Sequence, residues 1–256
     1  MPRLLAFALL FLLGSGTAWS DWEVSGSQDH PSRDGAVIYR RISLEESETG
    51  GRATLDCALF DSAEASLRVI DQPGSDLAEV IKQHHALAGV NGGYFDPENA
   101  PVGLLVSESR VLSPLRKAKL LTGVLFATRG KVDIIRTGRF AMSGKIRAAV
   151  QCGPLLVDAA QSVGGLNDSR AARRTFAVVD GKGRATMGVS SPVSLAQLAR
   201  ILCRANLFGK TKVARALNLD GGSSSAFWFA GRERTISIPE LKPVRDFVAI
   251  APRTDR

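Results

Sequence analysis

Short apolar runs broken by glycine and polar turns dominate the pattern. Val37–Leu44 and Thr54–Phe60 read as strands. In the second, Leu55, Cys57 and Leu59 alternate with Thr54, Asp56 and Ala58, the period of two that places one set on each face of a sheet. Residues 21–35 are polar and rich in Ser, Asp and Gly, and read as a loose entry segment. Ser75–Ala88 has helical spacing: Leu77, Val80, Ile81 and His84 share a face, Ser75 or Asp76 caps the first turn, and Gly89 is a plausible stop. Ser194–Phe208 is the strongest helix, with a capping box at Ser194 and Gln197 and a stripe of Leu195, Leu198, Ile201 and Leu202. Several short strands and hairpins fill Val102–Val157, one of them turning at Thr128–Lys131. Thr175–Asp180 and Ala185–Val189 flank a turn at Gly181-Lys182-Gly183, Ala216–Leu219 is a buried strand, and two or three strands close the chain near Ala251. Strands outnumber helices without regular alternation. The expected fold is therefore α+β: a mixed, mostly antiparallel sheet with a few packed helices in a single compact domain.

The first residues have a different character. Arg3 precedes an uncharged apolar run, Leu4–Leu13, and Ala18-Trp19-Ser20 sets small residues before a cut at Asp21. That is the pattern of a secretory signal peptide, and the run is too short for a bilayer span of about 20 residues. The reading is a signal peptide over 1–20 and one domain over 21–256, exported to the periplasm or secreted, with a bacterial style of signal. Hydrophobic residues make up 45% of the chain, ample for a core. The formal net charge of +8 is scattered, with small clusters at Arg116-Lys117-Lys119 and Arg170-Arg173-Arg174. No recognisable module accompanies it, so nucleic acid is not the expected partner, while anionic substrates or envelope polymers are. Three cysteines, Cys57, Cys152 and Cys203, allow one disulfide whose pairing the sequence does not choose, and none has zinc or redox spacing.

Four segments carry chemistry. In Asn91-Gly92-Gly93-Tyr94-Phe95-Asp96 a strand runs into a glycine pair whose amides are able to converge on an anion, though such a pair also makes a plain turn. Gln151-Cys152-Gly153-Pro154 marks a close backbone approach at a strand start. In Arg173-Arg174-Thr175 an arginine at the mouth of a buried strand is able to fork onto phosphate oxygens. In Leu217-Asn218-Leu219-Asp220-Gly221-Gly222-Ser223 an apolar strand delivers a carboxylate to a glycine turn rich in hydroxyls.

Taken in order, Asn-Gly-Gly-Tyr-Phe, Cys-Gly-Pro-Leu-Leu-Val, Arg-Arg-Thr-Phe-Ala-Val-Val-Asp-Gly and Leu-Asn-Leu-Asp-Gly-Gly-Ser-Ser-Ser resemble the phosphodiester glycosidase family over roughly residues 85–251. The chain departs from the family pattern at Ser223, where a further glycine is common, and at Cys152, usually a small residue; these positions bear on sugar preference. The resemblance implies hydrolysis of a sugar C1–O bond to phosphate; no cofactor is expected, and no motif spacing supports a metal. The leaving phosphate monoester has a second pKa of about 6 and needs little protonation, so the site must hold the phosphate. Arg174 and the amides of Gly92, Gly93, Gly221 and Gly222 suit that role, with Asn91, Gly153, Thr175 and Ser223 in support and Tyr94 against the sugar. Asp220 is the first choice for the carboxylate at the reacting carbon and Asp96 the second.

Three rivals remain open. A serine hydrolase would use Ser223–Ser225 with His85 or His30, since His84 sits on the apolar helix face as a core residue. A metal hydrolase would gather Asp96, Glu98, Asn99 and Asp220. A non-catalytic module would hold an anionic glycan without turnover.

Overall fold

The computed structural model describes residues 22–204, 206–209 and 212–253. The signal-peptide reading of residues 1–20 lies outside them. The chain opens with strands β1 (Trp22–Pro31), β2 (Val37–Glu46), β3 (Arg52–Asp61) and β4 (Ala65–Asp71), then helix α1 (Leu77–Gln83) and β5 (Ala88–Asn91). The middle is all strand: β6 (Leu105–Ser107), β7 (Arg110–Ser113), β8 (Gly123–Thr128), β9 (Lys131–Arg136), β10 (Ala148–Cys152), β11 (Leu155–Asp158) and β12 (Gln161–Ser162). Then follow β13 (Ala172–Val179), β14 (Arg184–Val193), α2 (Leu195–Leu202), β15 (Arg215–Asn218), β16 (Phe227–Ala230), β17 (Thr235–Ile238) and β18 (Asp246–Pro252).

These strands form three sheets. One has eight strands in the order β1-β2-β3-β14-β13-β15-β11-β12, one runs β7-β6-β10-β8-β9, and one runs β17-β16-β5-β18-β4. Every pairing within them is antiparallel. The expected α+β architecture is thus corrected towards β: the sheets are not mixed, and the described residues hold two short α-helices.

Alternation decides where each face goes. On β13, Ala177 and Val179 enter the central core, with Val90, Val150, Leu217, Phe227 and Val248 from all three sheets. Phe176 and Val178 point the other way and are covered by Leu198, Ala199, Ile201 and Leu202 of α2. Each fully buried Phe or Leu contributes about 1.5–3 kcal/mol by leaving water. The expected Leu55 and Cys57 face is buried with them on the α2 side. The helix α1 seals the third sheet, packing Leu77, Val80 and Ile81 against Trp228 and Phe247.

Both helices stop earlier than their periodicity implied. The first is capped by Asp76, whose side chain accepts from the Glu79 amide, and ends at Gln83. His84 closes it half-buried, its Nε2 3.3 Å from Gln72 Oε1, which accepts, so it is no core residue. Gly89 does not stop the helix. It lies inside β5, where a Cβ would stand 2.3 Å from Ile81 Cδ1, so α1 packs directly on the strand backbone. The second helix has the full capping box at Ser194 and Gln197 and ends at Leu202. The segment expected to be loose is a strand. Residues Trp22–Pro31 pair along β2 as an edge whose side chains after Trp22 are mostly exposed, so backbone hydrogen bonds and not apolar alternation hold it. All three cysteines are free, Cys57 and Cys152 in the core.

Candidate active site

The four segments meet where the three sheets converge. Asn91 ends β5, fully buried, and ties three of the segments together. Its Oδ1 accepts from Thr175 Oγ1 at 2.7 Å and from the Ala226 amide at 3.0 Å. Its Nδ2 donates to the Asp220 carbonyl at 2.8 Å. The Asp220 amide in turn donates to the Gly92 carbonyl at 3.1 Å, so the Asp220 backbone is clamped to the Asn91-Gly92 turn from both sides. The fourth segment joins through Tyr94, whose hydroxyl donates to the Gly153 carbonyl at 2.6 Å. Asn218 Nδ2 donates to the same carbonyl at 3.0 Å.

The glycines are demanded by contact. A Cβ on Gly153 would lie 2.1 Å from the Leu120 carbonyl oxygen, and one on Gly93 2.8 Å from Val150 Cγ2. Gly222 has φ +66°, in the left-handed region that glycine enters most cheaply, and opens a single 3-10 turn, Gly222–Ser224. Gly221 lies against the backbone of Arg173 and Arg174, its would-be Cβ 3.9 Å from both Cα and Cδ of Arg174.

The two arginines differ in role. Arg173 Nη2 donates to the carbonyls of Ser225 and Pro239, tying down the loop after the serines. Arg174 Nε donates to the Val193 carbonyl at 3.1 Å and Nη2 to the Arg170 carbonyl at 2.6 Å. It has no carboxylate partner among the described residues. Half-buried, it is held in position with its charge uncompensated, and burial followed by the nearby Arg170 lowers its pKa. A guanidinium held this way is ready to receive an oxyanion.

Asp220 is half-buried, directly before the Gly221 turn that packs on Arg174. Its Oδ1 accepts from the Gly221 amide at 2.9 Å. Burial raises its pKa, opposed by hydrogen bonds from Ser224 and Gly221. Tyr94 feels its charge, and burial chiefly pushes that phenol far up, so it stays protonated as a donor.

Asp96 is not part of this network. Its carboxylate accepts from the Ala100 amide at 2.7 Å, and its backbone closes the same turn through Ala100 and Asn99. One oxygen of this carboxylate thus serves the turn that contains Pro97, and no hydrogen bond joins the carboxylate expected as the second catalytic one to Asn91, Thr175 or Asp220. Ser223 has a backbone part, its carbonyl accepting from the Leu241 amide at 2.7 Å. The histidines of the serine-hydrolase reading have no hydrogen bond to the serines at 223–225 among the described residues: His30 lies by Arg234 and Tyr39, and His85 donates its amide to the Lys82 carbonyl. Among the described residues no group of three His, Cys, Asp or Glu side chains is gathered to hold a metal ion.

Two residues matter that the sequence reading passed over. Asn218 ends β15 two residues before Asp220, inside the same apolar-to-carboxylate run, a position that would have flagged it. Asp246 begins β18 and is 1% exposed, with Oδ1 accepting from the Gly93 amide at 2.9 Å and Oδ2 without a protein partner. Its signal was a charge opening the apolar run Phe247–Ala251. Burial, with Asp71 and Asp220 adding, raises its pKa to about 7. The folded state therefore holds this proton more tightly than the unfolded chain, whose aspartates titrate near 3.9. The contribution of this group to stability is full at or below about pH 4 and is lost as pH rises towards 7, at up to about 1.4 kcal/mol per pH unit. In urea denaturation at pH 5 and pH 8, Asp246→Asn is expected to lose less stability across the interval than the parent; equal losses contradict the assignment.

A guanidinium without a carboxylate partner among the described residues packs on the glycine turn that follows Asp220, on an antiparallel scaffold, an arrangement able to hold an anion. The family model for phosphodiester glycosidases matches residues 84–251, and the chain belongs to that family. A curated relative, an uncharacterised protein YigE of Escherichia coli K12, is 32% identical over 89 residues, covering 32% of this chain and 35% of its own. The chain thus spans about a third of that relative. Among solved structures, the zebrafish N-acetylglucosamine-1-phosphodiester alpha-N-acetylglucosaminidase catalytic domain, auto-inhibited by its pro-peptide, superposes with TM-score 0.64 at 13% identity, over 91% of this chain and 89% of that one. A hypothetical Synechocystis protein gives 0.60 at 15% identity over 85% and 62%. A putative exported protein of Burkholderia pseudomallei K96243 gives 0.60 at 13% over 80% and 75%. At these identities the likeness concerns the fold.

Proposed function

We propose that this chain is an exported hydrolase that cleaves the C1–O bond of a sugar-1-phosphodiester, releasing free sugar and a phosphate monoester. The observation that carries this reading is Arg174: half-buried, braced on the Val193 and Arg170 carbonyls, lacking a carboxylate partner and packed against the Gly221 turn that follows Asp220. The zebrafish relative is named for acting on an N-acetylglucosamine-1-phosphodiester, which supports the same bond type here.

In this reading the phosphate lies against Arg174 and the Gly222 and Ser223 amides, because the amides of Gly92, Gly93 and Gly221 already donate to Asp246 and Asp220, and the Asp220 carboxylate faces C1. Asp246 lies behind the Gly92–Gly93 backbone, and Asp96 closes its own turn, so the site presents one carboxylate to substrate. An ordinary glycoside needs a second carboxyl group as acid for its alcohol leaving group. A phosphate monoester leaves without one, because Arg174 stabilises the charge that grows on it as the C1–O electron pair departs. The oxygen of water ends on C1. Asp220 either activates that water or bonds to C1 first, and the anomeric configuration of the released sugar tells the two apart.

Incubation with a panel of sugar-1-phosphodiesters tests this. The expected products are free sugar and phosphate monoester in equal amounts; absence of turnover across the panel contradicts it. Arg174→Lys is expected to lower kcat/KM by about 10²-fold, because one ammonium is unable to brace on two carbonyls and fork onto a phosphate together. Unchanged kinetics would remove Arg174 from phosphate binding.

A further inference from the structure

A cavity of about 520 Å³ lies away from the candidate active site. It opens among the start of β4, the β8–β9 hairpin, the start of β10 and the end of β18. Its wall carries five cations, Arg68, Arg129, Lys131, Arg147 and Arg253, against one carboxylate, Glu108. That carboxylate is already used, 3.0 Å from Arg68 Nη2. The Glu108-Ser109 turn is itself fixed by the Ser109 amide, which donates to the Arg147 carbonyl at 2.8 Å. Arg253 Nη1 is braced on the carbonyls of Ser62 and Ala63, both at 3.3 Å, and its guanidinium covers Gly130. Lys131 pairs with Asp133 at 2.9 Å. Arg147 is exposed and has no ion pair or side-chain hydrogen bond among the described residues.

The same strands link this cavity to the active site. Asp246 at the start of β18 touches Gly93, while Ala251 and Pro252 at its end line the cavity. At about 3.4 Å per residue these ends are about 20 Å apart. The strand β10 likewise runs from Ala148 in the cavity wall to Cys152 beside Gly153. The two places are separate, on one rigid support.

We propose that this cavity is a second, non-catalytic binding site for a multivalent phosphate. Its size suits a sugar-phosphate unit, and its concave, low-dielectric walls strengthen the summed attraction of cations that solvent would otherwise screen. Two of the cations are braced on carbonyls or on the fixed Glu108, so little ordering is lost on binding. The ligand is either a small phosphate ester or one unit of a phosphate-bearing polymer. The site does not depend on the reaction assigned above.

Calorimetric titration at low salt tests the proposal, with the Arg174→Ala full chain as host so that the candidate active site does not contribute. Inorganic pyrophosphate is one probe and a phosphorylated mannan the other. The host is expected to bind about one equivalent of pyrophosphate. Adding Arg147→Glu, on an exposed side chain, weakens that binding at least tenfold, and adding Arg147→Lys largely retains it. Mannan binding per phosphate at least tenfold tighter than pyrophosphate identifies a polymer site, and equal binding a small-ester site. In the otherwise unchanged chain, Arg147→Glu leaves turnover of a small sugar phosphodiester within about twofold. No binding to the host, indifference to Arg147→Glu, or a parallel loss of turnover overturns the proposal.

Discussion

Asp220→Asn is expected to reduce turnover of a sugar phosphodiester by at least about 10³-fold while leaving the thermal midpoint nearly unchanged. The asymmetry follows from where Asp220 is held. Its amide and carbonyl anchor the turn to Gly92 and Asn91, and both bonds survive the substitution. The Gly221 amide keeps an oxygen acceptor at Oδ1. What disappears is the negative charge that an oxocarbenium-like carbon requires. Burial has already raised the cost of keeping that charge, so the carboxylate titrates above the ordinary aspartate value of about 3.9. Activity depends on the ionised form. It should therefore fall with decreasing pH along a limb set above that value, and the limb should be absent from any residual activity of the variant. Asp96→Asn is the contrast: its carboxylate closes a turn, and turnover within about twofold of the parent is expected. Near-normal turnover of folded Asp220→Asn would strip it of its catalytic role.

Gly92→Ala should be strongly damaging. The added methyl would stand 1.9 Å from Asp246 Oδ1, 2.9 Å from its Cγ and 3.0 Å from its carbonyl oxygen. The neighbour has little freedom to retreat. Asp246 is buried, holds the Gly93 amide through Oδ1, and accepts the Gly92 amide at 2.8 Å through its backbone. Overpacking of this kind costs about 1–3 kcal/mol, and a clash into paired backbone lies at or beyond the upper end. Chemical denaturation should show a loss of about 3 kcal/mol or more, with activity lost as the turn shifts. Combining it with Asp246→Ala should recover at least about 1 kcal/mol relative to additivity. Gly144→Ala, where a Cβ meets nothing within 4 Å, should change stability by less than about 0.5 kcal/mol. Equal effects at Gly92 and Gly144 would contradict the close approach.

The sequence made the site more legible than the scaffold. Asn91, Gly153, Thr175 and Asp220 sit in segments whose glycines and polar groups interrupt apolar strands, so each announced itself locally, and the structure joins them by hydrogen bonds. The misread parts depend on partners remote in sequence. A strand such as Trp22–Pro31 has no apolar alternation because solvent covers most of its side chains, and only β2 makes it a strand. Gly89 resembled a helix stop because spacing does not reveal that Ile81 must fit over it. Asp246 lies more than 150 residues from the glycines it supports, and a single charge before an apolar run carries no mark of that contact. Asp96 misled in the opposite sense: a carboxylate next to Gly-Gly-Tyr-Phe invites a chemical role, yet the following Pro97 and the Ala100 amide use it for a turn.

Which bond breaks is the central claim, and oxygen labelling reads it directly. A sugar-1-phosphodiester is hydrolysed in ¹⁸O-enriched water and both products are weighed by mass spectrometry. Cleavage between C1 and oxygen puts the label on the released sugar and leaves the phosphate monoester unlabelled. Label in the phosphate monoester instead would mean attack at phosphorus, and would contradict the roles given to Asp220 and Arg174.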